Sequence, residues 1–180
     1  DPGCVDGDVA GAVVAVVAAA GGEAEYEEFL RRHRTARTPQ EEVRHLYALA
    51  GFRSPALVRR TMDLALGEVR TQNAPFLVSL LLANREGGAL AWGVVKERWD
   101  ELLARFPDNL LDRMLEGATA LSAPELAADV RSFLEVHPLA GHERRIAQLL
   151  ERLDVAVALR GREGPHLAAA LRAAGEARPA

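Results

Sequence analysis

The chain has 180 residues, 49% of them hydrophobic, with 22 Lys plus Arg against 26 Asp plus Glu for a net charge of −4. Such a chain buries about 70% of its unfolded surface and needs neither metal nor disulfide to fold. The charge balance excludes the strongly basic surface that nucleic acid or an anionic membrane would require.

Cys4 is the single cysteine and cannot form an internal disulfide, so a reducing, cytoplasmic compartment is expected. The longest apolar run, Val9 to Ala20, is too short to span a bilayer. Asp1, Asp6 and Asp8 precede it where a signal peptide would carry basic residues, so none is expected. The missing initial Met is what a fragment would show.

Asp8 can cap a first helix running to Ala20 and closed by Gly21-Gly22. Its valines also allow a strand, but its length favours a buried helix. From Glu23 a second helix places Tyr26, Phe29, Leu30 and His33 on one face. Thr38-Pro39-Gln40-Glu41 is a capping box with Pro in the first turn, followed by the stripe Val43, Leu46, Tyr47 and Ala50 up to Gly51. Ser54-Pro55 opens the next helix, with Leu57, Val58, Met62 and Ala65 inward and Gly67 at its end. Asn73-Ala74-Pro75 leads into Phe76 to Ala83, which reads as a central helix buried all round and broken by Gly87-Gly88. Arg85 to Gly88 is the best candidate for an internal boundary.

Trp92, Val95, Trp99, Leu102, Leu103 and Phe106 fit one long helix that Pro107 ends, and Leu110, Leu111, Met114 and Leu115 follow. Ser122-Ala123-Pro124-Glu125 is a second capping box, leading into Leu126, Val130, Phe133 and Leu134 before Pro138. After Gly141 come Ile146, Leu149, Leu150, Leu153 and Val157, and a last short helix is expected from Pro165 to Ala174. Trp92, Trp99, Phe106, Phe133 and Leu150 are the expected core. About ten helices with short connections and no strand alternation predict an all-α fold, either an αα-solenoid or an irregular bundle. Residues 1–180 read as a single helical-repeat domain without sequence-identical repeats.

No local pattern completes a catalytic site. His142-Glu143-Arg144-Arg145-Ile146 begins like H-E-x-x-H, but Ile146 stands where the second ligand must be. No two of the histidines at 33, 45, 137, 142 and 166 are four apart, so no metal site is expected. Cys4 has no nearby base to activate it. Gly87-Gly88 and Gly161-Arg162-Glu163-Gly164 match no phosphate loop and read as helix stops. Arg31-Arg32-His33-Arg34 with Arg37 reads as a solvated helix end. Val69-Arg70-Thr71-Gln72-Asn73-Ala74-Pro75 lies between two strongly apolar helices, so its polar side chains must either cap those helices or face outward as a polar contact point.

Beyond these patterns, several motifs occur in a set order. They are Val69-Arg70-Thr71-Gln72, Leu90-Ala91-Trp92, Trp99-Asp100-Glu101-Leu102, Phe106-Pro107, Asp129-Val130-Arg131-Ser132-Phe133-Leu134-Glu135-Val136-His137-Pro138, and Glu151-Arg152-Leu153-Asp154. Thr38-Pro39-Gln40-Glu41-Glu42, with Leu46, Ala48-Leu49-Ala50 and Phe52, precedes them. Together, over roughly Gly22 to Leu171, they resemble the C-terminal domain of zinc aminopeptidases of the aminopeptidase N and puromycin-sensitive type. The alanine-, arginine- and leucine-rich wording resembles a bacterial member.

The resemblance implies HEAT-like antiparallel helix pairs forming an αα-superhelix, a bowl that faces a catalytic domain of the same polypeptide and encloses peptide substrates. It implies zinc in that other domain and no cofactor in this chain, because the zinc motif and the G-x-M-E-N loop are absent here. It also implies that the domain's earlier helices are missing, so the chain is a fragment of a larger C-terminal domain. Arg70 and Gln72 are the candidate substrate-binding residues, and no catalytic residue carries over. The alternative is a free-standing helical-repeat module that binds a protein or peptide.

Overall fold

Ten α-helices and no strand occur among residues 7–176, which are the residues that the computed structural model describes. Cys4 lies outside them. In chain order the helices are α1 (Gly7–Ala20), α2 (Glu23–Arg34), α3 (Pro39–Ala48), α4 (Pro55–Leu66), α5 (Ala74–Leu82), α6 (Gly88–Glu97), α7 (Trp99–Arg105), α8 (Leu111–Leu115), α9 (Pro124–Val136) and α10 (Glu143–Glu176). The chain is all-α, as expected. It divides into two compact units, the first ending at Ala118 and the second starting at Thr119. Arg85–Gly88 is therefore a turn inside the first unit and not a boundary.

In the first unit the aromatic residues of the early helices form one cluster. Tyr26 and Phe29 of α2 meet the Phe52 ring edge to face, with centroids 5.2 and 5.7 Å away. The Thr61 hydroxyl donates to Leu57 O at 2.8 Å, so the Tyr26 hydroxyl, 2.9 Å from Thr61 Oγ1, is the donor of that pair. Met62, Leu77, Leu81, Trp92, Leu102 and Met114 continue the core, and Trp99 and Phe106 are buried as expected. Asn84 closes the α5–α6 turn: its Nδ2 donates to Ala50 O and Phe52 O at 2.6 and 2.9 Å, and its Oδ1 accepts from the amides of Glu86 and Gly87. In the second unit α9 lies against α10, and the guanidinium of Arg131 donates to both carboxylate oxygens of Asp154 at 2.6 and 2.7 Å. Gly141, between them, has φ +84°, the left-handed backbone that favours glycine.

Several expectations are corrected. α1 is not the expected buried helix, since Val9, Val13 and Val16 are each more than half exposed. α5 is likewise open on one side, at Phe76 and Leu80. The expected long helix from Trp92 to Phe106 is two helices, broken at Arg98. Thr38 caps α3 by accepting the Glu41 amide, but Glu41 bonds the Arg37 N–H and not that of Thr38. The box at Ser122 does not form; Pro124 takes the first helical position, so Ala123 stands at the cap. Gly161 to Pro165 does not stop the chain, and α10 runs through it. Phe133 and Leu150, expected in the core, are half-buried.

Candidate functional site

The polar stretch after α4 is shaped by its backbone. α4 ends at Leu66 with the Gly67 amide bonded back to Asp63 O at 2.8 Å, and Glu68 and Val69 both return to Leu64 O. Val69 is buried and pins the turn. Arg70 O then accepts from Asn73 and Ala74 at 2.9 and 3.0 Å, which starts α5. Arg105 of α7 satisfies one carbonyl of the last turn of α4 and two of the turn after it: its Nε donates to Ala65 O at 3.3 Å, and its Nη2 to Gly67 O and Val69 O at 2.8 and 2.9 Å. Capping thus falls to Arg105, a residue that sequence reasoning missed. Its place in the last turn of α7 gave no sign of carbonyls lying 36 to 40 residues earlier.

The two sequence-predicted site residues are therefore free of the capping duty. The Arg70 side chain is 74% exposed, and its Nη2 lies 3.8 Å from Glu42 Oε1 on α3. Gln72 is exposed on the same turn. Beyond them on α5, Phe76 and Leu80 are 38% and 41% exposed. The result is an open patch with a cation and an amide at one end and apolar groups along the helix.

Elsewhere several of the charged and polar groups are engaged with one another. Arg31 and then Arg32 hold the Glu28 carboxyl down to about 2 by direct hydrogen bonds. Arg34 pairs with Glu68 at 2.7 Å, so much of the basic run is neutralised. A cavity of about 340 Å³ is lined by Gly22, Glu23, Ser54, Ala56, Leu57 and Arg60. Arg60 is bonded to Glu27 and stands over the Tyr26 ring, and the Gly22 amide is taken by Glu25 at 2.8 Å. His33, His45 and His137 each turn Nδ1 to a backbone carbonyl, at Glu42, Glu41 and Phe133. Among the described residues no three His, Cys, Asp or Glu side chains group as metal ligands, and no helix is long and apolar enough to cross a membrane.

The sequence profile of the ERAP1-like C-terminal domain matches residues 1–155. The chain belongs to that family. The match takes in α1 through α9 and the start of α10, together with every motif on which the resemblance was read. Aminopeptidase M1-A of Oryza sativa subsp. japonica is 32% identical over 132 residues, 72% of this chain and 15% of that protein. The mitochondrial aminopeptidase 2 of Saccharomyces cerevisiae is 26% identical over 141 residues, 76% of this chain and 15% of that protein. The probable aminopeptidase 2 of Sulfurisphaera tokodaii is 28% identical over 149 residues, 73% of this chain and 19% of that protein. The chain spans less than a fifth of the length of these relatives.

Proposed function

We propose that this chain is the non-catalytic C-terminal part of a zinc aminopeptidase, and that its helices stack as a HEAT-like αα-superhelix enclosing the peptide near a catalytic domain of the same polypeptide. The observation that carries the reading is the family match over residues 1–155, supported by relatives named as aminopeptidases. The division of labour is physically reasonable. A catalytic metal needs a rigid, fully supported ligand shell, whereas peptide enclosure needs extended area. In this reading residues 1–180 form one helical-repeat domain, part of a larger C-terminal domain in a cytoplasmic enzyme. The zinc and its chemistry belong to the catalytic domain.

Arg70 and Gln72 are proposed to contact peptide substrates. The freedom of both side chains from capping supports this, because a residue exposed beside an apolar strip serves recognition at little cost to folding. The test is Arg70→Ala in the full-length encoded protein, assayed for peptide kinetics and for melting temperature. The expected result is a KM for peptides raised several-fold with the melting temperature unchanged. Unchanged kinetics with a lowered melting temperature would assign Arg70 to folding through Glu42. A full-length protein without zinc-dependent aminopeptidase activity would favour the free-standing binding module.

A further inference from the structure

The aromatic seam between α2 and α3 contains an imidazole with a single hydrogen bond. His45 is 5% exposed. Its Nδ1 lies 2.9 Å from Glu41 O, one turn back on its own helix. A carbonyl only accepts, so Nδ1 carries the hydrogen and the neutral ring leaves Nε2 bare. The ring stands against Phe29 of α2, with centroids 5.7 Å apart and planes at 67°. Among the described residues Glu41 O is its one hydrogen-bond partner.

We propose that His45 is an acid-sensitive latch: a proton taken from solvent at Nε2 places a charged, unmatched N–H in this seam, and α2 comes away from α3. The ionisable groups around the ring favour release. From α2 comes Arg32, and from α3 come Arg44 and Glu41. Both arginines repel an imidazolium. Glu41 attracts it, but its carboxylate is engaged by the Arg37 N–H at 3.3 Å. On the same seam His33 of α2 bonds Glu42 O at 3.0 Å. α1, Leu49–Gly51 and α5 also pack against α3, and past Asp8 none of them carries an ionisable side chain, while from the α4–α5 turn the cation of Arg70 reaches α3 at Glu42, 3.8 Å away.

Burial holds His45 below the ordinary histidine range; the bond to Glu41 O offsets part of this, and Arg32 and Arg44 add to the depression. The unfolded chain's histidine titrates near ~6.5. Above that pH both states are neutral and the seam is at full strength. Below it the unfolded or opened state takes the proton first, so the seam weakens as pH falls and stops weakening below the pKa of the closed ring. One proton sets a limit of about tenfold per pH unit.

The test is amide hydrogen exchange on this chain at pH 7.5, 6.0 and 5.0, corrected for intrinsic rates and followed by mass spectrometry. The expected result is loss of protection in residues 23–48 on acidification while residues 74–115 stay protected. His45→Asn keeps a donor for Glu41 O and cannot take the proton, so it should hold residues 23–48 protected at pH 5. As a check that needs no variant, the His45 ring resonances of the unaltered chain should titrate below the ordinary histidine range, in step with the loss of protection. Equal loss in both segments, loss retained in His45→Asn, loss cured by His33→Asn instead, or a ring titrating in the ordinary range would each overturn the latch.

Discussion

Gly117 controls how closely α5 lies to the turn after α8. A Cβ there would stand 1.8 Å from Ser79 O and 2.7 Å from its carbonyl carbon, and neither backbone atom can rotate aside. The approach is used, since the Gly117 amide donates to Ser79 Oγ at 2.9 Å. Gly117→Ala should therefore destabilise the chain by about 3 kcal/mol, at the upper end of overpacking penalties, when measured by urea unfolding. Gly93→Ala is the matched control: Gly93 lies inside α6 with open space around its Cα, so it should stabilise by roughly 0.5–1 kcal/mol. A Gly117→Ala loss no larger than about 0.5 kcal/mol would mean that the two segments slide apart freely. Nothing in Glu116-Gly117-Ala118 announces this role in the sequence. It depends on a backbone 38 residues away, as the capping by Arg105 depends on α4. Residues whose duty is local, such as Thr38, were legible for the opposite reason.

Helices were legible where apolar spacing and end signals agreed, and were misjudged where an end signal stood alone. Gly161 and Gly164 read as a stop and Pro165 as the start of a further helix, yet α10 continues through all three, because the leucines, alanines and arginines around them are strong helix formers. The break at Arg98 has the reverse cause. No Pro or Gly marks it; the Arg98 guanidinium bridges Asp63 on α4 and Glu101 on α7, at 2.6 and 2.8 Å. A bond to another helix cannot be read from periodicity. The open side of α10 gives a prediction. Beyond Val157 its described side chains are exposed except for the half-buried Gly164 and Ala168, and this part lies outside the family match. Ending the chain after Arg160 should change unfolding free energy by no more than about 0.5 kcal/mol, while the helical circular dichroism signal falls with the residues removed. A loss of about 2 kcal/mol or more would show that this half of α10 is packed.

For the whole chain, the family was readable from an ordered set of short motifs, although none of them performs chemistry. Arg131 and Asp154 join α9 to α10, and Trp92, Trp99 and Phe106 fill the core. The candidate site was legible only as a polar stretch out of place between apolar helices. Which of its side chains stayed free was decided by Arg105, so it could not be read locally. The last prediction concerns what the chain lacks on its own. A catalytic zinc takes three protein ligands and an open position. His33, His45 and His137 have each committed Nδ1 to a carbonyl, and they stand on different elements. His142 is buried, and Ile146 occupies the position four residues on. The isolated chain, purified without a histidine tag, should hold far less than one equivalent of zinc by mass spectrometry and should not release the fluorophore from aminoacyl substrates. Near-stoichiometric zinc, or turnover lost on changing a residue of this chain, would overturn the non-catalytic assignment. Activity that returns only when the upstream part of the encoded protein is present would place the chemistry there and leave this chain the enclosing role.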